Sequence, residues 1–143
     1  DKADLFQFCR DTKAIYGDLE FIAFLTGEAD AKRALHTAAC NIYHACVHNF
    51  VHEESAEVLK TLYKSAFFAL QAKYYLETGA YIAKRKDLAN KLQGEDLKIL
   101  TCPAQFKTKL SPAEFSAYSG LLLNWAAAVI KNYGGGSNAE TEN

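Results

Sequence analysis

Val58-Leu59-Lys60-Thr61-Leu62-Tyr63-Lys64-Ser65-Ala66-Phe67-Phe68-Ala69-Leu70-Gln71-Ala72-Lys73-Tyr74-Tyr75-Leu76-Glu77-Thr78-Gly79 decides the fold class. Its apolar and aromatic side chains at 58, 59, 62, 63, 66, 67, 70, 74 and 75 recur at spacings of three and four, which lines one face of a helix and would scatter over both faces of a strand. The spacing predicts a helix over about Glu54–Thr78, with Gly79 as a left-handed cap.

Working towards the N-terminus, a second helix is expected over about Asp30–His52. Acidic Glu28 and Asp30 sit near its positive end, and Leu35, Ala39, Ile42, Cys46 and Phe50 form its core stripe. Before it, Leu5, Phe6, Phe8, Ile15, Leu19, Phe21, Ile22, Phe24 and Leu25 read as one or two helices, broken near Gly17 and ended near Gly27. Towards the C-terminus, short helices are expected at Asp87–Leu92 and Glu95–Leu100, the latter stopped by Pro103. Ser111-Pro112-Ala113-Glu114 combines a serine N-cap, proline at the first helical position and glutamate at the third, and so opens a final helix. Phe115, Tyr118, Leu122, Trp125, Val129 and Tyr133 stripe that helix, and Gly134 ends it. No segment alternates with a period of two between hairpin turns. The expected fold is therefore all-α, an antiparallel up-and-down helical bundle with three long helices plus shorter N-terminal and connecting ones.

The 143 residues suit one domain, expected over residues 1–133, with a polar, glycine-rich linker or tail over 134–143. Half the residues are hydrophobic and the formal net charge is -1, so any polyanion site has to be local rather than a global basic field. The apolar runs are short and interrupted by charge, which excludes a membrane span, and no signal-peptide pattern opens the sequence. A soluble, cytoplasmic protein is expected. Cys9, Cys40, Cys46 and Cys102 form no zinc-type CxxC pair and read as reduced thiols. The absence of methionine suggests a fragment or processed chain.

All four histidines fall in the second helix at multiples of four: His36, His44, His48 and His52, with Cys40 in the same series. Neighbours four apart can share a metal or a partner surface. The series nevertheless advances about 40° per step, so one ion cannot hold the row, and no second histidine-bearing helix exists to close a site. No metal and no cofactor are assigned. His44 and His48, with Val47 and Val51 on the flank, project away from the core stripe and are the candidate interface. Lys84-Arg85-Lys86, close to Tyr81, is the one dense basic cluster and the candidate phosphate-binding group, since cations beside an aromatic ring can hold a phosphate and stack a base. Neither a Gly-x-Ser-x-Gly elbow nor a Walker-type glycine loop is present.

Leu62–Gly79, followed by Tyr81, Lys86-Asp87-Leu88 and Leu92, resembles HEPN-type helical domains, which often accompany or follow minimal nucleotidyltransferase domains. The shared pattern is a long helix rich in alanine and aromatics, a glycine stop, and a short helix headed by a basic loop. It covers about residues 58–100. The resemblance implies a helical bundle that commonly dimerises, and either RNA cleavage or accessory substrate binding beside a nucleotidyltransferase. Cleaving members carry an arginine followed four to six residues later by histidine. Arg10, Arg33 and Arg85 lack that partner, because His36 comes too early after Arg33 and His44 too late. No Gly-Ser turn with an Asp-x-Asp pair marks a transferase half, Asp18 and Glu20 being an isolated pair.

The leading expectation is accordingly a noncatalytic HEPN-like accessory domain. It would bind a nucleotide-type ligand, or dock on a nucleotidyltransferase domain in the same chain or a separate one, with a homodimer as a further expectation. The alternatives are an RNA- or nucleotide-directed enzyme that uses second-helix histidines as acid and base, and a metal-binding bundle.

Overall fold

The computed structural model describes residues 19–106 and 109–134. The expected N-terminal helices around Leu5–Ile15, Cys9, Arg10, Asp18 and the tail beyond Gly134 lie outside the described residues. Among the described residues five α-helices carry the fold: α1 (Leu19–His48), α2 (Ala56–Thr78), α3 (Arg85–Ala89), α4 (Gly94–Thr101) and α5 (Pro112–Gly134). A π-helical turn, Asn49–Glu53, prolongs α1, and a 3-10 turn, Cys102–Gln105, prolongs α4. The described residues contain no strand, so the all-α expectation holds. No helix among them is long and apolar enough to cross a membrane.

Local chemistry sets the helix ends. The break expected at Gly27 is a kink inside α1, where φ is 84° and ψ is 170°. Gly79 ends α2 in the left-handed region at φ 81°, its N–H donating to the Tyr75 carbonyl at 2.8 Å. Ahead of α5 the capping box closes in both directions, the Glu114 N–H donating to Ser111 Oγ at 3.1 Å and the Ser111 N–H to Glu114 Oε1 at 2.9 Å. Two orphan donors are satisfied by one pair of side chains.

α1 packs most extensively on α5 and then on α2, while α4 braces α2 and α5. The stripe of α1 that meets them is small: Ala31, Ala34, Ala38 and Ala39 alternate with Leu35, Ile42 and Cys46, all buried. Larger side chains fill the space from the other side, with Leu59, Tyr63, Phe67 and Leu70 from α2 and Phe115, Leu122, Trp125 and Val129 from α5. Leu88 of α3 and Ile99 of α4 close the end of this core. Burial of the Cys46 thiol pushes its pKa up to about 11, and Cys102 moves in the same direction. Tyr63 donates to the Tyr118 carbonyl at 2.6 Å, and its burial, reinforced by Cys102, drives the phenol well above its usual range.

The core stripe of α1 ends differently from the expectation. Phe50 is 42% exposed and Asn49 is the buried residue, at 1%. Asn49 accepts from the Ser55 N–H and donates to the Ser55 carbonyl, both at 3.0 Å, which draws residue 49 inward. The Glu54 N–H reaches back five residues to the Asn49 carbonyl, widening the turn, and Glu54 itself adopts φ 51°. Phe50 is displaced to the rim, stacked on Phe115 with ring centroids 6.0 Å apart. The same reversal moves the start of α2 from Glu54 to Ala56, with Ser55 as N-cap accepting from the Val58 N–H. The next helix begins at Arg85 and ends at Ala89, earlier than the expected Asp87–Leu92.

Candidate functional site

The outer side of the C-terminal half of α1 is built by default. Once its alanine stripe is committed to α2 and α5, the side chains on the outer side are left exposed among the described residues. Tyr43 (37% exposed), Val47 (37%), Phe50 and Val51 (57%) are the large hydrophobics left exposed among the described residues. His44, His48 and His52 are exposed with them. His48 Nε2 lies 3.2 Å from Glu53 Oε2, and the His48 and His52 rings are 4.9 Å apart. All four expected interface residues, His44, Val47, His48 and Val51, therefore lie at the surface on the same end of α1. Single exposed apolar side chains are ordinary, but four within nine residues of one helix form a contiguous patch.

His36 is separated from this group. It is half-buried, its Nε2 sits 3.7 Å from Cys40 Sγ, and its ring lies directly against Gly134 of α5. Among the described residues no group of three or more His, Cys, Asp or Glu side chains is placed to hold a metal ion.

The basic segment is divided by the fold. Gln71 is fully buried, and its Nε2 lies 3.1 Å from the Tyr81 hydroxyl, 3.0 Å from the Ile82 carbonyl and 3.1 Å from the Ala83 carbonyl, pinning the strand of chain that leads into α3. Tyr81 is thereby engaged with α2, and it does not line the groove that Arg85 and Lys86 share. Arg85 turns back onto the core, its Nη1 donating to the Leu100 carbonyl at 2.9 Å and its guanidinium standing 4.5 Å from the Phe67 ring centroid. Partial burial works against its charge and shifts its pKa down, but a guanidinium held by a carbonyl and a ring face stays protonated. Lys84 is the exposed N-cap residue of α3. Lys86 and Arg85 face a groove of about 630 Å³ between α2, α3, the end of α4 and the 3-10 turn. Lys60, which the sequence reading did not single out, joins them there from α2.

A second polar cluster also escaped the sequence reading. Lys73 Nζ lies 2.7 Å from Asp96 Oδ2 and 3.0 Å from Glu77 Oε2, Trp125 Nε1 donates to Asp96 Oδ1 at 2.9 Å, and the Tyr133 hydroxyl donates to Glu77 Oε2 at 2.9 Å. Burial lowers the Lys73 pKa, but the hydrogen bonds to Asp96 and Glu77 outweigh it, so the net shift is upward. Tyr133 is pushed up to about 12 by burial, with the Glu77 hydrogen bond second. These groups satisfy one another and tie α2, α4 and α5 together. The four-residue spacing of Lys73 and Glu77 on α2 is the sequence signal that could have found one of these pairs.

No family model, curated protein or solved structure matches the chain. The two candidate surfaces of the described residues are the apolar side of α1 and the basic groove.

Proposed function

We propose that this chain is a noncatalytic helical accessory domain that docks on a partner protein through the outer side of α1, in the manner of HEPN-like modules that sit beside a nucleotidyltransferase. The observation that carries the reading is the exposure of Tyr43, Val47, Phe50 and Val51 on one helix end, interleaved with His44 and His48. An apolar patch rimmed by polar side chains is the usual make-up of a protein interface, with the aromatic members as anchors. The exposed imidazoles flank these side chains on one side of the same helix surface, which suits contact better than acid-base chemistry in a water-excluded cleft. We further read the three long helices as an antiparallel up-and-down bundle, the arrangement that a short reversal between α1 and α2 favours.

The test is co-purification with a nucleotidyltransferase domain supplied as a separate chain or fused upstream. Wild type is expected to form a stoichiometric complex by light scattering, and a Val47→Glu/Val51→Glu double variant to lose it at least tenfold while keeping its helical circular dichroism and melting temperature. Equal complex formation by the double variant would exclude this face. A dimer of the isolated chain that the same variant dissociates would reassign the face to self-association.

A further inference from the structure

Building on the docking reading above, we infer that the outer side of α1 receives a basic amphipathic helix of the partner protein, its apolar stripe set on Tyr43, Val47 and Val51 and its lysine or arginine side chains meeting Glu53 and Glu54. Charge complementarity is the ground for this occupant. From Ala34 to Leu59 the chain carries no lysine and no arginine, and its carboxylates are Glu53, Glu54 and Glu57, all exposed. Three glutamates against no lysine or arginine give this stretch a formal charge of -3, in a chain whose net charge is -1. Among the described residues the one ion-pair contact of these carboxylates is that of Glu53 Oε2 with His48 Nε2, at 3.2 Å. An imidazole carries charge only when protonated, so a lysine or arginine brought by a partner is the better counter-charge.

The relief of the surface suits a helix. Tyr43, Val47 and Val51 stand four apart, as do His44, His48 and His52, and members of the two rows that are three apart, His44 with Val47 and His48 with Val51, are neighbours on a helix. Two such rows are ridges, and the furrow between them accepts a row of side chains from a second helix. The wide turn at Asn49–Glu53 does not disperse them, because the His48 and His52 rings stay 4.9 Å apart and Val51 stays 57% exposed. Residues 43 to 51 cover about 12 Å along the axis, a little over two turns, which matches apolar anchors at i, i+4 and i+7 of an opposing amphipathic helix. Glu53 and Glu54 follow Val51 directly, so the negative charge lies at one end of the ridge rather than around it. Charges at a rim act chiefly on the choice of partner, and an acidic helix with the same apolar stripe would meet like charge there.

Fluorescence anisotropy with two labelled peptides of about 18 residues tests this on the full chain, at about 50 mM and about 200 mM salt. Both peptides carry the same leucine stripe at helical spacing; one has lysines in a terminal turn, the other glutamates at the same positions. Wild type is expected to bind the lysine peptide at least fivefold more tightly than the glutamate peptide, with a smaller ratio at the higher salt. A Glu53→Gln/Glu54→Gln variant is expected to cut that preference to twofold or less with unchanged circular dichroism, and Val47→Ser/Val51→Ser to weaken both peptides at least fivefold. Failure of wild type to bind either peptide, equal affinity for the two, or a preference that survives Glu53→Gln/Glu54→Gln overturns the basic helix. A dimer of the isolated chain that the lysine peptide does not displace gives the face to a second copy and overturns it as well. A nucleotidyltransferase complex that Val47→Glu/Val51→Glu abolishes and Glu53→Gln/Glu54→Gln leaves intact keeps the docking reading and removes the basic occupant, so the two fail separately.

Discussion

Replacing Asn49 by alanine tests the least regular part of the fold. Its side chain makes two hydrogen bonds to the backbone of Ser55, both at 3.0 Å, from a site that is 1% exposed. Each bond contributes a net stabilisation of about 1 kcal/mol, and the Ser55 N–H left without its acceptor adds about 1–2 kcal/mol. The Ser55 carbonyl keeps the Leu59 N–H at 3.1 Å, so it adds nothing further. The expected loss is roughly 3–4 kcal/mol, a large part of the stability of a domain of this size. It corresponds to a fall in melting temperature on the order of 10 °C. Urea denaturation followed by far-ultraviolet circular dichroism measures it, and amide exchange at Ser55 gives a local readout that should speed up in parallel. A Val51→Ala control, at a 57% exposed position on the same turn, should stay within about 0.5 kcal/mol of wild type. If Asn49→Ala also stays within that margin, the turn is held by something other than this side chain and the account of the displaced Phe50 is wrong.

At the far end of α5, a methyl on Gly134 would overlap the His36 ring. Gly134→Ala should thus be neutral to destabilising in the wild type but stabilising by up to about 1 kcal/mol in a His36→Ala background, where only the helix-propensity gain remains; additive melting shifts would refute the contact. Ser111→Ala should lower stability by about 1 kcal/mol through loss of the α5 cap, read by the same denaturation assay, and a change below about 0.2 kcal/mol would show that the capping box is dispensable. Alkaline pH should destabilise the fold from about pH 9 upward. The folded pKa of Cys46 is raised from 9.0 to about 11, so its contribution is complete below pH 9 and disappears as the unfolded thiol ionises first, at a loss of roughly 2–3 kcal/mol by pH 11. A Cys46→Ala variant, although less stable at neutral pH, should show a shallower decline over that window, and parallel curves would contradict the assignment.

What was legible beforehand divides by the range of the interaction. The glycine cap at Gly79, the break at Gly27 and the box at Ser111/Glu114 are decided within four or five residues, so their signals are complete in the sequence. The surface position of His44, Val47 and His48 followed from helical periodicity because α1 runs as helix from beyond the Gly27 kink to His48, and Val51 stays exposed although it lies in the wide turn that follows. Phe50 was misplaced because a π-helical turn breaks the period, and what stabilises that turn is an asparagine reaching a serine six residues on. The basic segment was divided by tertiary contacts with no local signature: Gln71 captures the chain at Tyr81, Leu100 captures Arg85, and Lys60 arrives from an earlier helix. A lone amide in the apolar stripe of α2 was the available hint that position 71 had a partner elsewhere.

The turn at Asn49–Glu53 gives the chain a lever on its own surface chemistry. Because a wide turn accommodates one residue more than an ordinary one, deleting a single residue there would restore regular winding, rotate the following side chains by about 100°, and carry Val51 and His52 round to a different aspect of the rod. A one-codon deletion would thereby redistribute the exposed apolar side chains at the cost of the buried Asn49–Ser55 contact, which ties the make-up of this exterior to the stability of a single turn.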